Sequence, residues 1–284
     1  MKRNVIRRKS LEPRSGADSD PEARDGGVQS VDRALSIIET LAEDDEGYRL
    51  SDLAVRTGLS TSTVHRLLAT LEKRRFVHFD RTESKWHVGA QSFSVGATFA
   101  RRRNFAAQAM PYLRKLRDQT RETANLAVVD DQSIIVLTRI ESREIMRSLT
   151  KVGGRVAMVA SGVGKAVLAT YPDQDVDAII CRQGMPRLTE KSIVRPSELF
   201  RELELIRQQG YAVDDEEARM GLRCVAAVVF NDCSEPLAAI SISGQSSRIT
   251  DERLPVLGCI VRAVAAELTV VLGGVMPSIT EAVR

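Results

Sequence analysis

The run from Leu50 to Leu68 restricts the fold of this chain more than any other stretch. It holds two short segments with apolar residues at helical spacing, and between them lies Gly58, which tolerates the left-handed conformation of a tight turn. Small Ala54 lets two helices cross closely, while Leu59, Val64 and Leu67 are spaced to fill the angle between them. Ser60 stands where a helix cap belongs. The second segment then opens with Ser60, Thr61, Ser62, Thr63, His65 and Arg66. Short polar groups at a helix N-terminus suit a recognition helix that meets base edges and phosphates in the major groove. The pattern predicts a helix-turn-helix with its recognition helix over about Ser60 to Arg75.

The flanks extend this unit. Val31, Ala34, Leu35, Ile38 and Leu41 predict a preceding helix, capped by Ser30 and ended by the acidic stretch Glu43–Gly47. After the basic Lys73–Arg75 come two strand-like runs, Phe76–Phe79 and Lys85–Val88, joined by a polar turn. This hairpin would form a wing, with Arg81 and Lys85 placed to reach the DNA backbone.

With 284 residues the chain has room for two domains of ordinary size, about 100–200 residues each. Residues 1–27 are polar, lack periodicity and are predicted to be a disordered tail, whose crowded positive charge could touch DNA phosphates. The winged helix-turn-helix takes 28–90, a linker helix 91–104, and a ligand-binding domain 105–274, with a tail over 275–284. In the third of these, hairpins such as Ala124–Val129 with Ile134–Thr138 alternate with helices opened at Ser161 and Ser197. A last helix is expected from a Thr250 cap to Leu272. Clustered hairpins among helices point to an α+β domain with an antiparallel sheet.

Several function classes fall away. A net charge of +3, from 41 basic and 38 acidic residues, excludes a histone-like polycation but not a local DNA-binding face. Aromatics at 4% leave little for stacking single-stranded bases. Cys181, Cys224, Cys233 and Cys259 form no zinc-type spacing and read as small, reduced core residues; neither a metal nor a cofactor is expected. The glycines before Lys165 lack the flanking residues of a phosphate loop, since Val159 and Ala166 stand at the key positions. A Cys-dependent hydrolase using Cys224 would need a base, and His65, His78 and His87 all lie in the DNA-binding region. That enzyme reading survives only with lysine-assisted chemistry, so the chain reads as a non-enzyme. No apolar run approaches a membrane span of about 20 residues, and no signal segment follows the basic start, which points to a cytoplasmic protein.

Several stretches carry a family resemblance: Val28–Leu35, Ser62–Leu68, Glu122–Ala127, Ala160–Ala166, Gly210–Glu217, Gly221–Ala227 and Ile240–Gly244. Together they are similar to the IclR family of bacterial transcriptional regulators, from about Val28 to Gly274. Met146–Ser148, Leu222–Cys224 and Arg248–Asp251 resemble the acetate-operon branch most. The resemblance implies a winged helix-turn-helix, a linker helix and a GAF/PAS-like effector domain. It also implies a homodimer, or a dimer of dimers, on double-stranded operator DNA. Its effector would be a small 2-oxo acid, glyoxylate or pyruvate, and its targets glyoxylate and acetate metabolism genes. By resemblance the effector contacts fall on Gly162, Val163, Asp214, Cys224, Ser241 and Ser243, with an apolar wall at Ile145, Val156 and Leu222. Ser148 is polar where that wall is apolar in the relative, which leaves effector identity open. A second branch responds to aromatic acids and stands as the alternative.

The residues are compatible with such a ligand. Gly162 and Val163 follow Ser161 at a helix start, where backbone N–H groups favour a carboxylate. Ser241 and Ser243 alternate with Ile240 and Ile242, so on a strand both hydroxyls face one side. Asp214 is awkward, because a carboxylate repels an anion. It either accepts a hydrogen bond from a ligand hydroxyl or carries a proton, unless Asp214–Glu217 is a solvated acidic loop.

Overall fold

The computed structural model describes residues 28–102, 105–130, 133–142 and 151–277. The N-terminal tail, the end of the linker at 103–104, Ile145, Ser148 and residues 278–284 lie outside the described residues. The described residues separate into two compact units, divided between residues 97 and 98.

The first unit holds α1 (Gln29–Ala42), α2 (Leu50–Thr57) and α3 (Thr61–Lys73), then the hairpin β1 (Val77–Asp80) and β2 (Lys85–Val88). Gly58 ends α2 with φ 66°, in the left-handed region, and the next amide, Leu59 N–H, closes on the Ala54 carbonyl at 3.1 Å. Ile37, Leu41, Leu53, Val64, Leu68 and Trp86 form one core. Two expectations for α1 fail. Ser30 lies inside the helix, whose N-cap is Val28 with no side-chain hydrogen bond. Val31 and Leu35 are more than half exposed, and Ile37 rather than Ile38 is fully buried. Ala34, Ile38 and Leu41 do turn toward the other helices, with Ile37 and Thr40 beside them, so the buried stripe is confined to the C-terminal half of the helix.

Helix α4 (Ala90–Arg102) follows. The second unit is built on a six-stranded antiparallel sheet of order β5-β4-β3-β8-β7-β6. The strands are β3 (Thr123–Asp130), β4 (Ser133–Ile140), β5 (Arg155–Val156), β6 (Ala212–Asp215), β7 (Leu222–Phe230) and β8 (Pro236–Gln245). One face packs on α6 (Gly162–Leu168), α7 (Asp173–Gln183) and α8 (Pro196–Gln209) through residues such as Val167, Leu199 and Val228. The other packs on α5 (Phe105–Thr120) and α9 (Leu254–Val271) through Leu113, Val225, Ile240 and Val261. The α+β reading therefore holds.

Some local expectations do not. Thr250 does not cap α9: its carbonyl closes a separate turn on Arg253 and Leu254, and the helix begins after it. Contrary to the expectation that no run is long and apolar enough for a membrane span, helix α9 has 18 residues and meets that test by length and composition alone. Its Leu257, Val261, Val264 and Leu268 are buried against the sheet, as in a core helix. Cys181, Cys233 and Cys259 are exposed rather than in the core.

Candidate nucleic-acid interface and ligand pocket

The start of α3 is built by hydrogen bonds. Ser60 Oγ accepts the Thr63 backbone N–H at 3.3 Å and lies 2.8 Å from the Thr63 hydroxyl and 3.1 Å from that of Ser62. Val64 and Leu68 turn into the core, so Thr61, Ser62, His65 and Arg66 are left exposed on the opposite side. Arg66 makes no ion pair among the described residues, and its guanidinium is available to an outside partner. Arg81 stands exposed in the β1–β2 turn, whereas Lys85 is half-buried and leans toward Glu83 at 3.9 Å.

In the second unit a cavity of about 220 Å³ gathers residues from all six strands, the start of α6 and the turn after β6. The start of α6 supplies Ser161 and Val163, β6 supplies Asp214, and β7 supplies Leu222 and Cys224. Ser241 and Ser243 of β8 both open on it, as does Val156 of β5. Gly162 is not itself part of the lining, but its backbone runs against the site. A methyl group there would come within 3.3 Å of Cys224 and 3.4 Å of the Asp214 nitrogen. Ser161 Oγ accepts the Gly164 N–H at 3.1 Å, which leaves the first N–H groups of α6 outside that cap.

Asn125 of β3 was not singled out from sequence, yet its amide donates to Ser243 Oγ at 3.2 Å and Ser241 Oγ at 3.4 Å. A lone amide between Ala124 and Leu126 in an otherwise apolar strand was the available signal. Arg219 also lines the cavity.

Behind the cavity lies a charge cluster that the sequence did not reveal. Lys165 of α6 is fully buried, with Nζ 2.5 Å from Glu217 Oε1 and 3.1 Å from Glu202 Oε1. Burial works against its charge, but Glu217 and Glu202 hold its pKa above the ordinary lysine value. Asp214 is 3% exposed, and its Oδ1 accepts the Glu217 N–H at 2.8 Å and the Ala218 N–H at 3.3 Å. Burial, reinforced by the charge of Glu217, pushes Asp214 up to about 6. Glu217 is also raised by burial, against the pull of Lys165. The Cys224 thiol is pushed up to about 12 by burial and then by Asp214, so it is held as a neutral thiol rather than a nucleophilic thiolate. Asp214 and Glu217 are thus not part of a solvated loop. Nor are the other two acids freely solvated: Asp215 ends β6 and pairs with Arg223 and, at 3.2 Å, with Lys191, and Glu216 pairs with Lys191 at 2.7 Å and accepts the Gly221 N–H.

Comparison with known proteins agrees with this architecture. Residues 30–81 match the IclR helix-turn-helix domain, and 97–270 match the bacterial transcriptional regulator IclR C-terminal domain. The chain is 41% identical to the acetate operon repressor of Salmonella typhimurium over 88% of this chain and 92% of the relative. It is 37% identical to the HTH-type transcriptional regulator BhcR of Paracoccus denitrificans, over 92% and 94% of the two chains. A solved IclR structure from Thermotoga maritima, 26% identical, superposes with a TM-score of 0.68 over 86% of this chain and 99% of that one. The chain belongs to the IclR family of bacterial transcriptional regulators.

Proposed function

We propose that the protein is a transcriptional repressor whose operator binding is set by a small 2-oxo acid, glyoxylate or pyruvate. In this reading α3 enters the major groove of a palindromic operator as part of a symmetric homodimer or dimer of dimers. Thr61, Ser62, His65 and Arg66 read the DNA, and Arg81 and Lys85 hold its backbone. The likeness to the acetate operon repressor supports repression and the glyoxylate and acetate genes as targets.

The observation that carries the ligand assignment is the cavity. At about 220 Å³ it falls below the range of about 300–1,000 Å³ typical of drug-sized ligands, which favours an acid of a few heavy atoms over an aromatic one. A carboxylate placed at the start of α6 would meet the Gly162 and Val163 N–H groups. The 2-oxo group, or its hydrate, would lie against the Ser241 and Ser243 hydroxyls. Ligand acts on DNA affinity only through its different affinities for two states of the protein. Calorimetric titration of glyoxylate, pyruvate and protocatechuate tests the assignment. Binding of an oxo acid that is lost in Ser241→Ala/Ser243→Ala supports it, and binding of protocatechuate alone contradicts it.

A further inference from the structure

The reading of the cavity as a site for a small organic anion raises a question of charge, and the inference here rests on that reading. Asp214, Glu217 and Glu202 gather around a single buried ammonium, that of Lys165. Glu217 Oε2 is buried and has no hydrogen-bond partner among the described residues. Among the described residues, the other elements around β6 bring no second cation inward. From β7, Cys224 faces Asp214 as a neutral thiol, while Arg223 turns to the opposite face and binds Asp215 and Asp251. From α9, Arg262 is bonded to the Gln209 carbonyl and Glu267 to Lys115. Neither β3 nor β8 contributes a charged residue to the lining; they supply Asn125, Ser241 and Ser243. Among the described residues Arg219 is the one cation on the lining, and it comes from the exposed turn after β6.

An anion entering this site with every carboxylate ionised would add charge to a cluster already in excess. We infer that the ligand enters together with one proton, taken up by Asp214 and positioned there by Glu217, so that the pocket selects monoanions. The proton comes from solvent and sits on Oδ2, because Oδ1 already accepts two backbone N–H groups. Asp214 then changes from a repelling carboxylate into a hydrogen-bond donor for the ligand. The raised pKa of Asp214, about 6, agrees: the free protein near neutral pH holds it mostly ionised, yet protonation there is inexpensive. A dianion of similar size, such as oxalate, would be excluded.

Calorimetry of the full-length protein with glyoxylate, in buffers of different ionisation enthalpy, counts the protons directly. The expected result is uptake of about one proton per ligand at pH 8, falling toward none at pH 5. Affinity should weaken about tenfold per pH unit above about pH 6. Asp214→Asn, which retains the Oδ1 acceptor, should bind with no proton uptake and a flat pH profile. Glu217→Gln should move the break in affinity to lower pH, whereas a purely structural role would change affinity equally at every pH. Glyoxylate binding without proton uptake, or oxalate binding as tightly as glyoxylate, overturns the inference and leaves the ligand reading standing. No binding of glyoxylate or pyruvate at any pH overturns both.

Discussion

Replacing Lys165 by methionine tests how far the C-terminal unit depends on one buried charge. Methionine keeps an unbranched chain of similar length, so the change removes the ammonium with little loss of volume. The ammonium sits at 0% exposure, 2.5 Å from Glu217 and 3.1 Å from Glu202. Removing one partner of a buried ion pair costs about 3–5 kcal/mol, because the remaining charge is left in the interior without compensation. Here the loss is aggravated, since Glu217 Oε2 already lacks a partner and Oε1 would join it. The effect has a pH signature. Asp214 and Glu217 are acids whose folded-state pKa values are raised, so their contribution is most favourable at low pH and is lost as pH climbs through those values. Without Lys165 both rise further, so Lys165→Met should lose more stability at pH 8 than at pH 5. Trp86, the single tryptophan, lies in the N-terminal unit, so urea unfolding must be followed by far-UV circular dichroism or by hydrogen exchange at α6. Adding Glu217→Gln should recover part of the loss. A deficit below about 1 kcal/mol at pH 8, or one independent of pH, would show that the Lys165 ammonium does not hold Asp214 and Glu217 in the interior.

Three further substitutions bear on the two units separately. Leu68→Ala, at a fully buried position, should cost about 2–5 kcal/mol in urea unfolding followed by Trp86 fluorescence; a cost near zero would mean the α1–α3 core is misdrawn. Gly164→Ala would drive a methyl group into the Met158 backbone carbonyl, so it should destabilise the C-terminal unit by about 1–3 kcal/mol and weaken glyoxylate binding by displacing the start of α6. Normal ligand affinity in that variant would separate α6 from the site. Arg66→Ala should weaken operator binding by about 1–3 kcal/mol at fixed salt if Arg66 contacts a base, and equal affinity would remove it from the interface.

The parts of the molecule legible in the sequence are those decided within a few residues. Gly58 and Ser60 stand two positions apart, and each acts on a backbone group at most a handful of positions away, so the helix-turn-helix could be read directly. The caps at Ser161 and Gly210 were legible for the same reason. The exposure of Val31 and Leu35 was not, because how far the apolar stripe of α1 is covered depends on where α2 and α3 lie against it. Strands β5 and β6 were missed because they are two and four residues long and owe their existence to partners in β4 and β7. Two acids within β6 make it look like a loop. What lets Asp214 and Glu217 stay buried is chiefly Lys165, and Glu217 stands 52 residues from it in sequence. Asn125 lay inside a motif already noticed, but its pairing with Ser241 and Ser243 needs the β3–β8 register.

In the proposed reading one chain joins operator recognition to a small-acid pocket. The most direct test of that reading is fluorescence anisotropy of the purified protein on DNA from its own upstream region. Salt is held fixed while glyoxylate, pyruvate and protocatechuate are titrated in, for the native protein and for Ser241→Ala/Ser243→Ala. The account predicts specific binding whose affinity shifts with glyoxylate or pyruvate, and a shift that disappears in the double variant while binding to DNA remains. Specific binding that no oxo acid alters, or that the double variant still modulates, would contradict it.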